Sequence, residues 1–527
     1  MDFDYLLING TVVDGTGNPP FRARVGIAGD RLRIIRGATD VAAAHVYDID
    51  GCVIAPGFID MHSHTGLLLL EQPVNEAKIR QGVTTEIVGV DGLGYAPFFS
   101  KAELQRLVRY NSGLDGRPDV EYDWSTVEEY LARLDRKAAV NVAYLVGNSA
   151  LRILGLGWEP RRPSAGELAN MSSALEDALA EGAFGLSTGL DYPPGSHADT
   201  DELVALSQVV ARMGGIYHTH VRYQLGDRYL DPFREAVEIG ERSGCPVHLT
   251  HLYRRTSARG GSAPLLELVD DAVGRGMEVT FDTYPWEWSG TRLPMLLPLW
   301  SQEGTPDQIL ARLTDRRHRG RLRVDVDARG ESYAGADIWG RIRLCGFTAQ
   351  QNRMYEGWTL QQVMSDMELP AADTIVELLV SEDFGVSQVA PGPHGASVPA
   401  FLVHPRGMIG SDSVFVGEYP SPRSYGTFPR VLGEFVREER ALSLEDAVRK
   451  MTSLPANRLG LVGRGLVKDD FFADLVVFDP RTVKHLASYE TPRVYPEGIH
   501  HVFVNGVPTL LDDKSTSQCP GRALRRR

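Results

Sequence analysis

Nowhere in these 527 residues does an unbroken apolar run approach the ~18 residues that span a bilayer, so no membrane helix is expected. The first residues, Met1-Asp2-Phe3-Asp4-Tyr5, lack the basic start and apolar centre of a signal peptide. Cysteine is scarce: Cys52, Cys245, Cys345 and Cys519 are scattered without metal-ligand spacing, which fits reduced thiols and a cytoplasmic protein. Basic excess is missing too. A formal net charge of -14 disfavours nucleic acid and anionic membrane as partners, and leaves a small-molecule substrate and homo-oligomerisation open. No Gly-x-Gly-x-x-Gly follows the first strand of the central region, which sets aside a dinucleotide-binding doubly wound sheet. No low-complexity tract and no repeat longer than a strand–helix unit is visible.

What is present falls into three stretches. Residues 3 to 56 alternate short apolar clusters (Tyr5 to Ile8, Arg24 to Ile27, Arg31 to Ile35) with Asn-Gly and Gly-Asp turns, a pattern of β-hairpins. From Gly57 the rhythm becomes strand then helix. Strands are expected at Gly57 to His64, Thr84 to Gly89, Val140 to Gly147, Ala183 to Ser187, Gly215 to His220, Pro246 to His251, Glu278 to Asp282 and Gly407 to Asp412. Helices fall between them. Ser164 with Glu167 forms a capping-box signature for the helix to Glu181. Eight such units fit an α/β fold, a (β/α)8 TIM-like barrel.

An insertion at about 287–405, with helical pieces and a basic patch from Arg312 to Arg323, interrupts the rhythm before the eighth strand. After a helix at Ser443 to Met451, strands return at Ala473 to Phe478 and His501 to Gly506. The expected domains are therefore 1–56 and 461–527, combining into a small β-sandwich built from both chain termini, and 57–460, the barrel. The last residues, Gly521 to Arg527, read as a frayed basic tail.

The chemistry gathers at strand ends, where a barrel places its active site. Strand one ends with His62 and His64, strand five with His220, strand six with His251 and strand eight with Asp412. Imidazole nitrogen and carboxylate oxygen are zinc-type donors. His62 and His64, two residues apart, share a face in extended chain. Asp91, in Gly89-Val90-Asp91-Gly92 after strand two, is a ligand, a bridge between two metals, or a turn aspartate. Asn148, after strand three, contacts substrate or caps the next helix. His218 reads as core, and His248, of opposite parity to His251, as pointing toward the helices. A divalent ion in such a set lowers the pKa of its water toward neutrality and polarises a carbonyl. Asp412 is placed to take the water's proton and pass it to a leaving nitrogen, which is amide hydrolysis.

Gly57-Phe58-Ile59-Asp60-Met61-His62-Ser63-His64 resembles the opening of the amidohydrolase superfamily. Longer stretches are similar to its N-acyl-D-amino-acid deacylase (D-aminoacylase) branch: Gly182 to Gly195, Thr219-His220-Val221-Arg222, Asp282-Thr283-Tyr284-Pro285, Arg423 to Arg430 and Ala473 to Phe478. The resemblance implies zinc, one or two ions, held through His220 and His251 with His62 and His64 lining a second position, and Asp412 as general base. It also implies that Tyr284 and Arg423 anchor a substrate carboxylate and that Tyr192 lines an aromatic pocket. This chain departs from the pattern in four places. Asp91 stands where the family has a cysteine ligand, Tyr253 where a lysine helps hold the carboxylate, Asn148 where a histidine is common, and Ser421-Pro422-Arg423 where His-Pro-Arg is usual. The expected function is hydrolysis of an N-acyl (D-)amino acid or related small amide. A cyclic-amide hydrolase, a deaminase and a non-catalytic binding relative are the alternatives.

Overall fold

A computed structural model describes residues 2–37, 40–223, 228–253, 261–334, 337–391 and 395–526. Eight parallel strands form the centre: Phe58–Asp60, Val83–Val88, Asn141–Tyr144 continuing as Val146–Gly147, Gly185–Gly189, Ile216–His220, Val247–Leu249, Val279–Thr283 and Gly407–Ile409. Each hydrogen-bonds to the next in parallel. The circle closes where the Met61 N–H donates to Ile409 O at 3.3 Å and Ser63 bridges Ser413. This is the (β/α)8 barrel that the strand–helix rhythm implies.

The barrel interior is a packed core. Ile59, Ile87, Ala143, Ile216 and Met408, each from a different strand, interdigitate there with Phe184, which directly precedes strand four. Several of the helices outside begin on polar caps, the expected one at Ser164 among them. Ser164 and Glu167 exchange both capping-box bonds ahead of the helix Ala165–Ala180, and Thr126 with Glu129 does the same for Val127–Leu134. Strand four needs its last glycine. A Cβ on Gly189 would stand 1.9 Å from Asp91 O, so only glycine lets the turn after strand two lie against strand four.

Both chain ends build the second unit. A seven-stranded mixed sheet sets Leu475–Phe478 against Val53–Pro56, which passes directly into the first barrel strand. A four-stranded sheet of Phe3–Ile8, Arg24–Ala28, Arg31–Ile35 and Ala43–Asp48 covers it, with Leu7, Val25, Ile27, Ile54, Leu475 and Phe503 buried between the layers.

The insertion is more than helical pieces. Trp288–Arg292, Arg343–Cys345 and Ser387–Pro391 form a three-stranded antiparallel sheet around the last. Its first strand, Trp-Ser-Gly-Thr-Arg, shows no apolar alternation, which is why periodicity missed it. The basic patch is a helix face tied down locally, with Arg319 and Arg323 pairing to Asp373 at 2.8 and 2.6 Å.

The C-terminal tail is not frayed. The Val142 N–H donates to Arg522 O at 2.9 Å, Leu524 N–H to Val142 O at 2.7 Å and Gly521 N–H to Ala138 O at 2.8 Å. The tail thus pairs with the start of strand three at the end of the barrel away from the histidines. Backbone bonds of this kind need no apolar side chains, so composition gave no sign of them. Deleting residues 521–527 is expected to remove about 2–4 kcal/mol at roughly 1 kcal/mol per bond. A thermal scan checks this, and an unchanged transition would show that the tail carries no stability.

Candidate metal centre

Three of the residues at the centre, Asp91, His251 and Asp412, sit just past a strand end with positive φ, at 54°, 32° and 48°. Non-glycine residues enter that region at a cost of order 1–3 kcal/mol each, and such strain collects at functional sites. Here it turns the side chains inward over the mouth of the barrel. It also explains one misreading: alternation ends with the strand at Leu249, so parity does not carry to His251. His248 faces the interior instead, stacked on His218 with ring centroids 4.8 Å apart, its Nε2 3.0 Å from Asp282 Oδ2.

Asp91 lies at the middle. Its Oδ1 is 3.4 Å from His62 Nε2, and its Oδ2 is 3.7 Å from His64 Nε2, 3.3 Å from His220 Nδ1 and 3.7 Å from His251 Nε2. Asp412 Oδ1 stands 3.6 Å from His62 Nε2 and 3.4 Å from His64 Nε2. All six residues are buried. The atoms fall into two overlapping groups: His62, His64, Asp91 and Asp412, and Asp91, His220 and His251.

The donors fit metal ions. Metal–ligand bonds of about 2.0–2.1 Å in a tetrahedron imply ligand–ligand edges of about 3.3–3.4 Å, close to the separations here. Both ring nitrogens of His62 and Oδ1 of Asp91 are buried without a hydrogen-bond partner among the described residues, a state that protein alone rarely tolerates. Outer carboxylates orient the rings. His64 Nδ1 meets Asp115 Oδ1 at 2.7 Å, and Asp115 also receives Tyr95 Oη. His220 Nε2 meets Asp191 Oδ2 at 3.3 Å. Asp282 accepts the His251 backbone N–H at 2.9 Å and faces Nδ1 of the His62 ring at 3.7 Å.

Charge in this space is strongly biased. Burial lowers the pKa of His62 and His220, but Asp91 above all outweighs it, raising them to about 10 and about 9. Burial also opposes ionisation of Asp91, yet His62 and His220 hold its carboxyl well below the ordinary range. For Asp412, burial is outweighed chiefly by Arg423, whose Nη1 lies 2.9 Å from Oδ2, and the pKa falls to about 2. His218, buried beside His248 and His62, is held well below its usual value and stays neutral, hydrogen-bonded to Met61 O at 3.3 Å.

The other expected residues surround this core. The Tyr192 ring lies 5.0 Å from His220, and its Oη is 3.0 Å from Thr291 Oγ1 of the insertion. Tyr253 stacks on Tyr223 at 5.3 Å and approaches Tyr284 at 6.2 Å, and Arg423 Cζ lies 4.6 Å above the Tyr284 ring. Asn148 does not join them. It is the first residue of the helix Asn148–Leu156 without capping it, and its Nδ2 donates to Gly195 O at 3.0 Å, bracing the turn after Tyr192. Sequence reasoning missed Asp115, Asp191 and Asp282 as ring-orienting groups. An aspartate inside a buried strand was the available signal for Asp282; a partner 51 positions away left none for Asp115.

The comparisons agree with this geometry. Residues 45–510 match the amidohydrolase family. The chain is 34% identical to a D-aminoacylase of Alcaligenes xylosoxydans xylosoxydans over 526 residues, 99% of this chain and 98% of the relative. A solved D-aminoacylase with a binuclear metal centre superposes with a TM-score of 0.83 at 32% identity, covering 99% of this chain and 100% of the other. The N-acyl-D-glutamate deacylase of Bordetella bronchiseptica, solved with zinc and a phosphonate inhibitor, gives 0.83 at 31% identity and full coverage of both chains.

Two outcomes are expected. With imidazole pKa values of about 10 and about 9 at His62 and His220, the metal-free site is protonated at pH 7.5. Zinc binding should therefore release protons and tighten as pH rises, measurable by calorimetry in buffers of different ionisation enthalpy. Asp91→Ala should weaken metal binding beyond the roughly 10–100-fold typical of an outer-shell partner. Unchanged occupancy by elemental analysis would reduce Asp91 to a turn residue.

Proposed function

The chain belongs to the amidohydrolase family, and we propose that its reaction is hydrolysis of the amide bond of an N-acyl amino acid, of the D series as its relatives' names suggest. The observation that carries this reading is one carboxylate, Asp91, shared by two pairs of imidazoles, with a second carboxylate, Asp412, on the rim. His62, His64, Asp91 and Asp412 would hold one divalent ion, and Asp91, His220 and His251 another. Zinc bound there supplies a Lewis acid for the acyl oxygen and acidifies water.

The chain's own residues do the rest. Asp412 takes a proton from the attacking water as the hydroxyl oxygen bonds to the acyl carbon. It then passes that proton to the amide nitrogen as the C–N bond breaks, which leaves a carboxylic acid and an amine and returns Asp412 to its ionised form. Arg423 and Tyr284 anchor the substrate's carboxylate, and a guanidinium fork suits that task. Tyr192 and Tyr253 wall the pocket, while Asn148 braces the Tyr192 turn. Arg423 is engaged by Asp412 before substrate arrives. A substrate carboxylate that draws it away frees Asp412 to act as a base.

No helix among the described residues is long and apolar enough to cross a membrane. Four free thiols support a cytoplasmic setting.

Zinc-loaded protein offered matched N-acetyl-D- and N-acetyl-L-amino acids should release acetate from the D series. Metal-loaded protein that cleaves none of them would overturn the reading. Asp412→Asn should keep its metal and lose about 10²–10⁴-fold in kcat, the usual range for a general acid–base group. Near-normal turnover would remove Asp412 from the mechanism.

A further inference from the structure

Arg292 is a positive charge sealed inside the protein. It ends the insertion strand Trp288–Arg292 and is 0% exposed. Its Nη1 donates to Tyr110 O at 3.2 Å and to Asn111 Oδ1. Among the described residues its Nε and Nη2 have no hydrogen-bond partner, and neither has Asn111 Nδ2. Every one of these orphan groups is an N–H donor, and no described carboxylate pairs with the guanidinium. Tyrosine faces at 4.1 Å (Tyr110) and 5.0 Å (Tyr192) compensate part of the desolvation and none of the missing acceptors. What completes such a cluster is an anion with acceptor oxygens.

The cluster adjoins the metal centre. The Tyr192 ring that stands 5.0 Å from Arg292 Cζ stands equally far from the His220 ring. Leu93, Leu114, Tyr192, Met295 and Val414 pack together there. Leu93 is two residues past Asp91, Leu114 adjoins Asp115, and Val414 is two past Asp412. An apolar wall thus links the donors to the site of hydrolysis, and Arg423 is already assigned to the first carboxylate.

We propose that Arg292, with Asn111, is an anion subsite that reads a second carboxylate of the substrate, carried on a short apolar arm. The inference rests on the deacylase reading above. The arm is either the side chain of an acidic amino acid or the acyl group of a dicarboxylic half-amide; both present the same carboxylate.

Three substrates separate these sources: N-acetyl-D-glutamate, N-succinyl-D-leucine and N-acetyl-D-leucine. The wild type should prefer one of the first two over the third by about 100-fold in kcat/KM, because a buried polar site discriminates strongly against a ligand lacking its partner. Whichever dianion wins identifies the arm. Arg292→Met should collapse that ratio through KM, and Arg292→Lys should restore part of it. Equal turnover of all three by the wild type, or an equal loss on all three in Arg292→Met, would make Arg292 a structural strut and sink the proposal. If Arg292→Met does not fold, the wild-type ratio and its change in Asn111→Leu decide. Calorimetric binding of glutarate needs no turnover. If no N-acyl amino acid is cleaved, glutarate binding at least about 10-fold weaker in Arg292→Lys still upholds the subsite, and unaltered or undetectable binding overturns it.

Discussion

One carboxylate facing four imidazoles is the constraint on which the rest of this structure depends. Four converging histidines repel whenever protonated, and no hydrogen-bond pattern satisfies them all when neutral. Asp91 resolves this by lying between the two pairs, 3.3–3.7 Å from each ring. That position is demanding. It needs a left-handed residue at a strand end and a neighbouring strand without a side chain at Gly189. A carboxylate suits the role because it has two oxygens to divide between the pairs. As a metal ligand it would also be harder than the cysteine thiolate that the family resemblance implies at this position, which would shift preference toward harder ions.

Around that carboxylate the fold supplies support from other acids. Asp60 Oδ1 accepts both the His62 N–H at 3.2 Å and the Ser411 N–H at 2.8 Å, so one group holds the backbone of a histidine and of the residue before Asp412. Lys78, fully buried, pairs with that same Asp60 and with Glu86 at 3.1 Å. Breaking a buried ion pair of this kind is costly because the surviving charge has nowhere to go, so the network fixes the closure of strand one on strand eight. Asp115 and Asp191 perform the same office for the rings of His64 and His220, and Asp282 for the His248 ring and the His251 backbone N–H. The precision of the centre comes from this outer shell as much as from the barrel.

Much of this was legible in the chain. Strands buried on both faces and helices with polar caps declare a barrel, and His62, His64, His220, His251 and Asp412 each fall at a strand end, where a barrel places its chemistry. The limits of that reading are physical. Alternation predicts facing only while the backbone stays extended, so parity counted from His251 puts His248 on the wrong face. Pairs such as His64 with Asp115, or Asp60 with Ser411 across 351 positions, are set by the folded geometry and leave no local trace. The tail failed for another reason: its attachment is by backbone, which composition does not encode.

The link between Asp412 and Arg423 adds a last step. At a pKa of about 2 Asp412 is reliably ionised yet a poor proton acceptor, since basicity and acidity are two sides of one equilibrium. The guanidinium 2.9 Å away is the main favourable partner holding it there. On the proposed reaction, a substrate carboxylate would compete for that same fork. Asp412 would then lose its strongest stabilising charge, and its pKa would rise toward the range in which it can accept a proton from water. Binding energy at a carboxylate remote from the scissile bond would thereby be converted into base strength at the reacting water, acting on kcat and not on KM alone. An amide without the carboxylate would enter the same pocket and find the base still engaged, and the pocket would discriminate against it at the chemical step.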